Sequence, residues 1–169
     1  MKTKITYQDI MELNPCYDPK ELGPIDTTAS MTIPEFITEY RDKVKNKDDI
    51  IWVLCREEYM TDRDMRLFAV WCAREALKLI DNPDPRSVEV CNVAERFANG
   101  GATKKELDAA GAAAWAAAWD TAWAAAWNTA WDAAWGAAWA AAGDAARGAA
   151  WDTARDAQMT QLLTYFQTS

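Results

Sequence analysis

Seven tryptophans, Trp115, Trp119, Trp123, Trp127, Trp131, Trp135 and Trp139, recur at a strict spacing of four with little but alanine between them. Alanine is the best helix former, so the 24 alanines among residues 109–150 dictate a helix here. At about 100° per residue each step of four overshoots a full turn by about 40°, and the Trp row winds as a ridge. Between Trp115 and Trp139 the ridge turns by roughly 240°, wider than the single face of an amphipathic helix. Such a helix must be covered on most sides, be broken, or leave some indoles for a partner.

The polar members of the segment keep the same step. Asp120, Asn128, Asp132, Asp144, Asp152 and Asp156 each follow the Trp grid position by one, and Arg147, Trp151, Arg155, Met159 and Leu163 continue the grid itself. An aromatic and an acidic ridge therefore wind together. A tetrad this short also expands and contracts by slippage, which accounts for low complexity without a functional demand.

Upstream, helix signals recur in order. Residues 6–12 suit a short helix, and Pro15, Pro19 and Pro24 predict an extended arm up to residue 31. Thr32 with Glu35 forms a capping box, and Ile33, Phe36, Ile37, Tyr40 and Val44 give an apolar face over 33–46. Ile50 to Cys55 form a short apolar helix over 50–58, central to the core. Thr61 with Asp64 opens a helix over 62–80, with Met65, Phe68, Cys72, Ala76 and Leu79 on one face, and Asp81-Asn82-Pro83-Asp84-Pro85 stops it. Ser87 is expected to cap the next helix, 87–99, whose buried side is Val90, Ala94, Phe97 and Ala98, and Gly100-Gly101 ends it. Thr103 with Glu106 opens the Trp segment.

No proline follows Pro85. A helix from Lys104 to Phe166 would be about 90 Å long, whereas a compact domain of this size has a radius of gyration of about 15 Å. A break is therefore expected near Gly143–Gly148, where Asp144 can cap a new helix, with Gly136 as the second candidate. The fold class that follows is all-α: a compact multi-helix bundle in one domain, residues 1–169, with an arm (1–31), a bundle (32–101) and a C-terminal Ala/Trp tetrad segment (102–169).

Charge and chemistry narrow the function. The net charge is −8, of which residues 106–169 carry −5. An acidic Trp helix is the wrong footprint for duplex nucleic acid or an anionic membrane. Asp120, Asn128 and Asp132 argue against a membrane span, and no apolar core marks a signal peptide near residue 1. Histidine is absent, and Cys16, Cys55, Cys72 and Cys91 form no CxxC pair. The cysteines read as buried thiols of a reducing cytosol, and neither a metal nor another cofactor is expected. The carboxylates Glu57, Glu58, Asp62 and Asp64, beside Arg56, Arg63 and Arg66, read as helix caps and ion pairs in place of an acid/base site. There is no glycine-rich phosphate loop, no GxSxG and no Cys/His pair, so no enzyme is expected.

The run Ile51-Trp52-Val53-Leu54-Cys55-Arg56 to Tyr59 is followed by Thr61-Asp62-Arg63-Asp64-Met65-Arg66-Leu67-Phe68-Ala69-Val70-Trp71-Cys72-Ala73-Arg74. Further on come Ala94-Glu95-Arg96-Phe97-Ala98-Asn99-Gly100, Ala102-Thr103 and Glu106-Leu107 before the Ala-rich repeat. Over about residues 50–140 the chain resembles a family of immunity proteins of bacterial polymorphic toxin systems, with phage-encoded relatives. The resemblance implies an all-helical, non-enzymatic protein of the bacterial or infected-cell cytoplasm that neutralises an antagonist by binding it. It carries over no functional residue.

The leading expectation is thus a stoichiometric inhibitor of a toxin or defence protein. A second is a sponge in which indoles stack on a nucleotide-type signal and Arg147 or Arg155 holds its phosphates. A third is an oligomer built on the winding ridge. The ridge members left uncovered are expected toward Gly143–Gly148, giving Trp131, Trp135, Trp139, Arg147, Trp151 and Arg155 as candidate ligand- or partner-binding residues. Most of the seven row members are expected in the core.

Overall fold

The computed structural model describes residues 1–15, 28–44, 47–117 and 137–167, and for 137–151 it describes the backbone alone. The chain is mostly all-α. Two three-residue strands, β1 (Lys4–Thr6) and β2 (Ser30–Thr32), accompany α1 (Tyr7–Glu12), α2 (Ile33–Tyr40), α3 (Asp48–Leu54), α4 (Asp62–Leu77) and α5 (Pro85–Ala98). Residues 104–117 are helical and form the described part of α6, and α7 spans Ala137–Gln167. The chain divides into two compact units, one made of Met1–Met65 with Thr153–Ser169 and the other of Arg66–Asp152.

In the first unit the strands pair antiparallel, Lys4 opposite Thr32, Ile5 opposite Met31 and Thr6 opposite Ser30. Each strand ends in a threonine that is also the N-cap of the next helix. The Thr6 hydroxyl accepts from the Asp9 amide at 3.2 Å while the Asp9 carboxylate accepts from the Thr6 amide at 2.8 Å. Thr32 and Glu35 repeat that box at the start of α2, with Pro34 in its first turn. Ile33, Phe36, Ile37 and Tyr40 bury the α2 face. They join Ile5, Ile10, Ile50, Val53, Leu54, Tyr59 and Met60, and, from α7, Met159 and Leu162, in the unit's core. Phe36 and Tyr40 also pack ring against ring, with centroids 5.2 Å apart.

The arm expected over residues 1–31 is structured at both described ends, by β1 and α1 and by β2; its middle lies outside the described residues. α2 ends at Tyr40, short of the expected residue 46, although the Val44 amide still donates to the Tyr40 carbonyl at 3.0 Å. α3 begins at Asp48, two residues earlier than expected, because Asp48 and Asp49 supply the acidic first turn that favours a helix start.

In the second unit α4 ends at Leu77 and leaves Leu79, expected on its buried face, 82% exposed. Asp84, and not Ser87, caps α5. Its carboxylate accepts from the Arg86 amide at 2.8 Å and Pro85 takes the first helical position, where its fixed φ suits the helix and its missing N–H costs nothing. The buried side of α5 is accordingly Cys91 and Val93, while Val90, Ala94, Phe97 and Ala98 are half-buried. Arg74 of α4 ties the two helices by donating to Glu95 at 2.6 Å and to Asn92 at 3.2 Å, and the Arg66 guanidinium lies 5.2 Å from the Phe97 ring centroid. α5 closes in a Schellman motif: Gly100 has φ +76°, and the Gly101 amide reaches back to the Arg96 carbonyl at 2.7 Å.

The break expected at Gly143–Gly148 is not present, since α7 runs through both glycines. A glycine costs a helix interior about 1 kcal/mol relative to alanine, too little to stop a helix in so alanine-rich a segment when no proline follows. Gly136 lies outside the described residues.

Candidate functional site

The Thr103 box sets the start of α6: the Glu106 carboxylate accepts from the Thr103 amide at 2.7 Å, and the Thr103 hydroxyl accepts from the Glu106 amide at 3.3 Å. The bond from the Thr103 amide, and after it one donated by the Thr103 hydroxyl at 2.7 Å, hold the Glu106 carboxyl below its ordinary range. Along the described helix Leu107, Ala110, Gly111 and Ala114 are half-buried and Ala117 is buried, an inward face of helical period. Trp115 falls off that face. It shares the outer side with Asp108 and Ala112, and its side chain is 72% exposed. The expectation that most of the row is core is thus not met at its first member. Ala110, Gly111 and Ala114 take the inward positions.

The other candidate residues are placed as follows. Trp131 and Trp135 lie outside the described residues. Trp139, Arg147 and Trp151 are on α7, with side chains outside the described atoms. Arg155 is half-buried in the first unit, where its Nε pairs with Asp48 and its Nη1 donates to Gln158 at 2.6 Å. Next to it, Asp156 accepts from Lys47, and the Arg41 guanidinium lies 3.7 Å away. The structure thus places Arg155 in an ion-pair group that ties the end of α7 to Arg41, Lys47 and Asp48.

This group contributes to the response to acid. The Lys47 hydrogen bond is the main cause holding the Asp156 carboxyl below its ordinary value, with the charges of Lys47 and Arg41 adding to it. A depressed carboxyl contributes stability that is present above the unfolded-state value and is lost as pH falls through the folded one. Asp9, depressed by Lys2 and Thr6 against the opposing effect of burial, acts in the same sense. Asp49 acts oppositely, because burial and then the Asp48 charge raise it. Asp156→Asn should therefore lower the melting temperature at pH 7 and narrow its gap to the wild type as pH is taken below about 4. A gap of constant size across that range would show that the carboxylate charge plays no part.

Of the carboxylates at the α3–α4 turn, Asp64 is a capping and pairing group. Asp64 accepts from the Thr61 hydroxyl at 2.7 Å and from Arg63 at 3.2 Å, and Arg56 lies over the Trp52 ring at 4.3 Å. Among the described residues no group of His, Cys, Asp or Glu could hold a metal ion, and no helix is long and apolar enough to cross a membrane. Cys55 and Cys72 are half-buried thiols and Cys91 is a buried one, its thiol pushed up by burial.

One polar residue of note is given no role by the sequence. Tyr59 is 3% exposed, and burial, followed by the charges of Asp9, Glu58 and Glu12, pushes its phenol up to about 12. The apolar pair Tyr59-Met60 between two helices was the available signal, since a solvated turn has no use for it. Comparison with protein-family models, with curated proteins and with solved structures returns no match.

Proposed function

We propose that this chain is a non-enzymatic, stoichiometric binding protein that neutralises a protein antagonist in the cytoplasm, with the acidic Trp/Ala helix as its recognition surface. The observation that carries this reading is the exposure of Trp115 on a helix whose start is fixed by a capping box. Leaving an indole this open forgoes about 3 kcal/mol of burial free energy. Tryptophan is also the residue most enriched among the few that dominate binding energy in protein interfaces. The net charge of −5 over residues 106–169 favours a basic face on the partner. The resemblance to immunity proteins points the same way, to a toxin or, in a phage setting, a defence protein as the antagonist.

The test is purification of the tagged full chain from its own host, beside Trp115→Ala. The wild type should retain a partner near one-to-one, and the variant should bind it at least about tenfold more weakly with an unchanged melting curve. A wild type that holds no stoichiometric protein yet still blocks the antagonist's effect overturns the reading, as does a variant that binds as well as its parent. The nucleotide-sponge alternative has fewer cations at its disposal, because Arg155 is already engaged with Asp48 and Gln158.

A further inference from the structure

An asparagine side chain is open to attack by the backbone nitrogen that follows it, and the next residue decides how easily. Asn14 and Asn82 precede Pro15 and Pro83, which have no N–H to turn into a nucleophile. Asn46, Asn92 and Asn128 precede Lys47, Val93 and Thr129, whose side chains crowd the approach. Asn99 alone precedes a glycine. The fold requires that glycine: Gly100 closes α5 at φ +76°, where other residues are strained. Nothing lies within 4 Å of the place a Gly100 Cβ would take, and Asn99 and Gly100 are both exposed. The missing side chain that suits the helix end thus also leaves the Gly100 nitrogen unscreened.

In the closed turn both reacting groups are tied down. The Gly100 N–H donates to the Phe97 carbonyl at 3.1 Å, and the Asn99 side-chain amide donates to the Glu95 carbonyl at 3.0 Å. Attack needs the Gly100 nitrogen to give its proton to base and the Asn99 Cγ to swing over it. Both hydrogen bonds must therefore break first, which requires the last turn of α5 to open. Helix ends open locally far more often than the whole fold does.

We propose that Asn99 is a deamidation site of this chain, reached by opening of the last turn of α5, and that its conversion loosens the corner between α5 and α6. The Gly100 nitrogen bonds to Asn99 Cγ and the Cγ–Nδ2 bond breaks. The proton taken from Gly100 is returned to the leaving nitrogen, so ammonia departs and a five-membered succinimide remains. Water then adds to one of its two carbonyls and leaves aspartate or isoaspartate. Either product removes the donor to the Glu95 carbonyl and puts a negative charge at the negative end of the α5 dipole. Isoaspartate also lengthens the main chain by one methylene, which pulls the Gly101 amide off the Arg96 carbonyl, 2.7 Å away in the closed turn. The proposal does not rest on the reading of Trp115.

Incubation of the full chain, folded and in guanidinium chloride at the same pH, tests it, with peptide mass spectrometry and an isoaspartate assay following all the asparagines. Asn99 should convert before any other, faster at pH 8 than at pH 7, and about ten- to a hundredfold more slowly in the folded chain than in the unfolded one. Asn99→Asp, which stands in for one product, should melt about 2–4 °C below the wild type. Equal rates in the folded and unfolded chain, or another asparagine converting as fast as Asn99, overturns the proposal. So does a folded chain still unconverted after more than about a hundred half-times of the unfolded one, or an Asn99→Asp variant that melts with its parent.

Discussion

Leu162→Ala should cost the fold about 2–5 kcal/mol, the range for truncating a fully buried leucine whose cavity cannot wholly collapse. Leu162 and its neighbour Met159 have no exposed surface. They stand in a core whose other members, from Ile5 to Met60, come from the first 60 residues of the chain, so the loss falls on the whole unit. In thermal unfolding followed by circular dichroism the variant should melt roughly 5–15 °C below its parent. Thr160→Ala, on the exposed side of the same helical turn, should shift the midpoint by no more than about 2 °C. Equal effects at the two positions would show that the end of α7 is not part of this core.

The second large effect concerns Arg155. As a ligand-holding cation it would be dispensable to stability, but its pairing with Asp48 gives it a structural role. The Arg155 side chain is 19% exposed and that of Asp48 38%, so the pair is neither free of solvent screening nor fully subject to it. Arg155→Met, which keeps the apolar stem, should destabilise by about 1–2 kcal/mol, and a double-mutant cycle with Asp48→Asn should return a coupling of about 1 kcal/mol. The Lys104–Asp108 pair, with both side chains largely exposed, should show a coupling of at most about 0.5 kcal/mol in the same assay. A zero coupling for Arg155 with Asp48, together with an unchanged melting point for Arg155→Met, would return that arginine to the list of ligand-binding candidates.

The helix starts were legible because their signal is local. Thr32 with Glu35 and Thr103 with Glu106 form reciprocal boxes, and the Thr61 hydroxyl accepts from the Asp64 amide, each satisfying backbone donors within four residues. Asp84 was overlooked in favour of Ser87, though an acidic residue directly before a proline is the stronger start. The strands were not legible, for three residues give period two no room to show, and their pairing depends on residues 24 or more positions away. The tetrad row hid its own environment. Arg155 and Met159 occupy successive grid positions, yet one forms an ion pair and the other lies in the core, while Trp115 on the same grid faces water. A four-residue period fixes how side chains are spaced around a helix and says nothing about which side its neighbours occupy. Tyr59 was missed for a related reason, as its burial comes from elements remote in sequence.

Thr6 and Thr32 each serve two elements at once, as the last residue of a strand and the cap of a helix. Because the strands pair with each other, a cap lost at either threonine loosens one end of the ladder, and through it the start of the other helix. β1, α1, β2 and α2 should therefore open to solvent as one event, their backbone amides sharing a single protection factor in hydrogen exchange, where four separate short elements would each fray at their own rate.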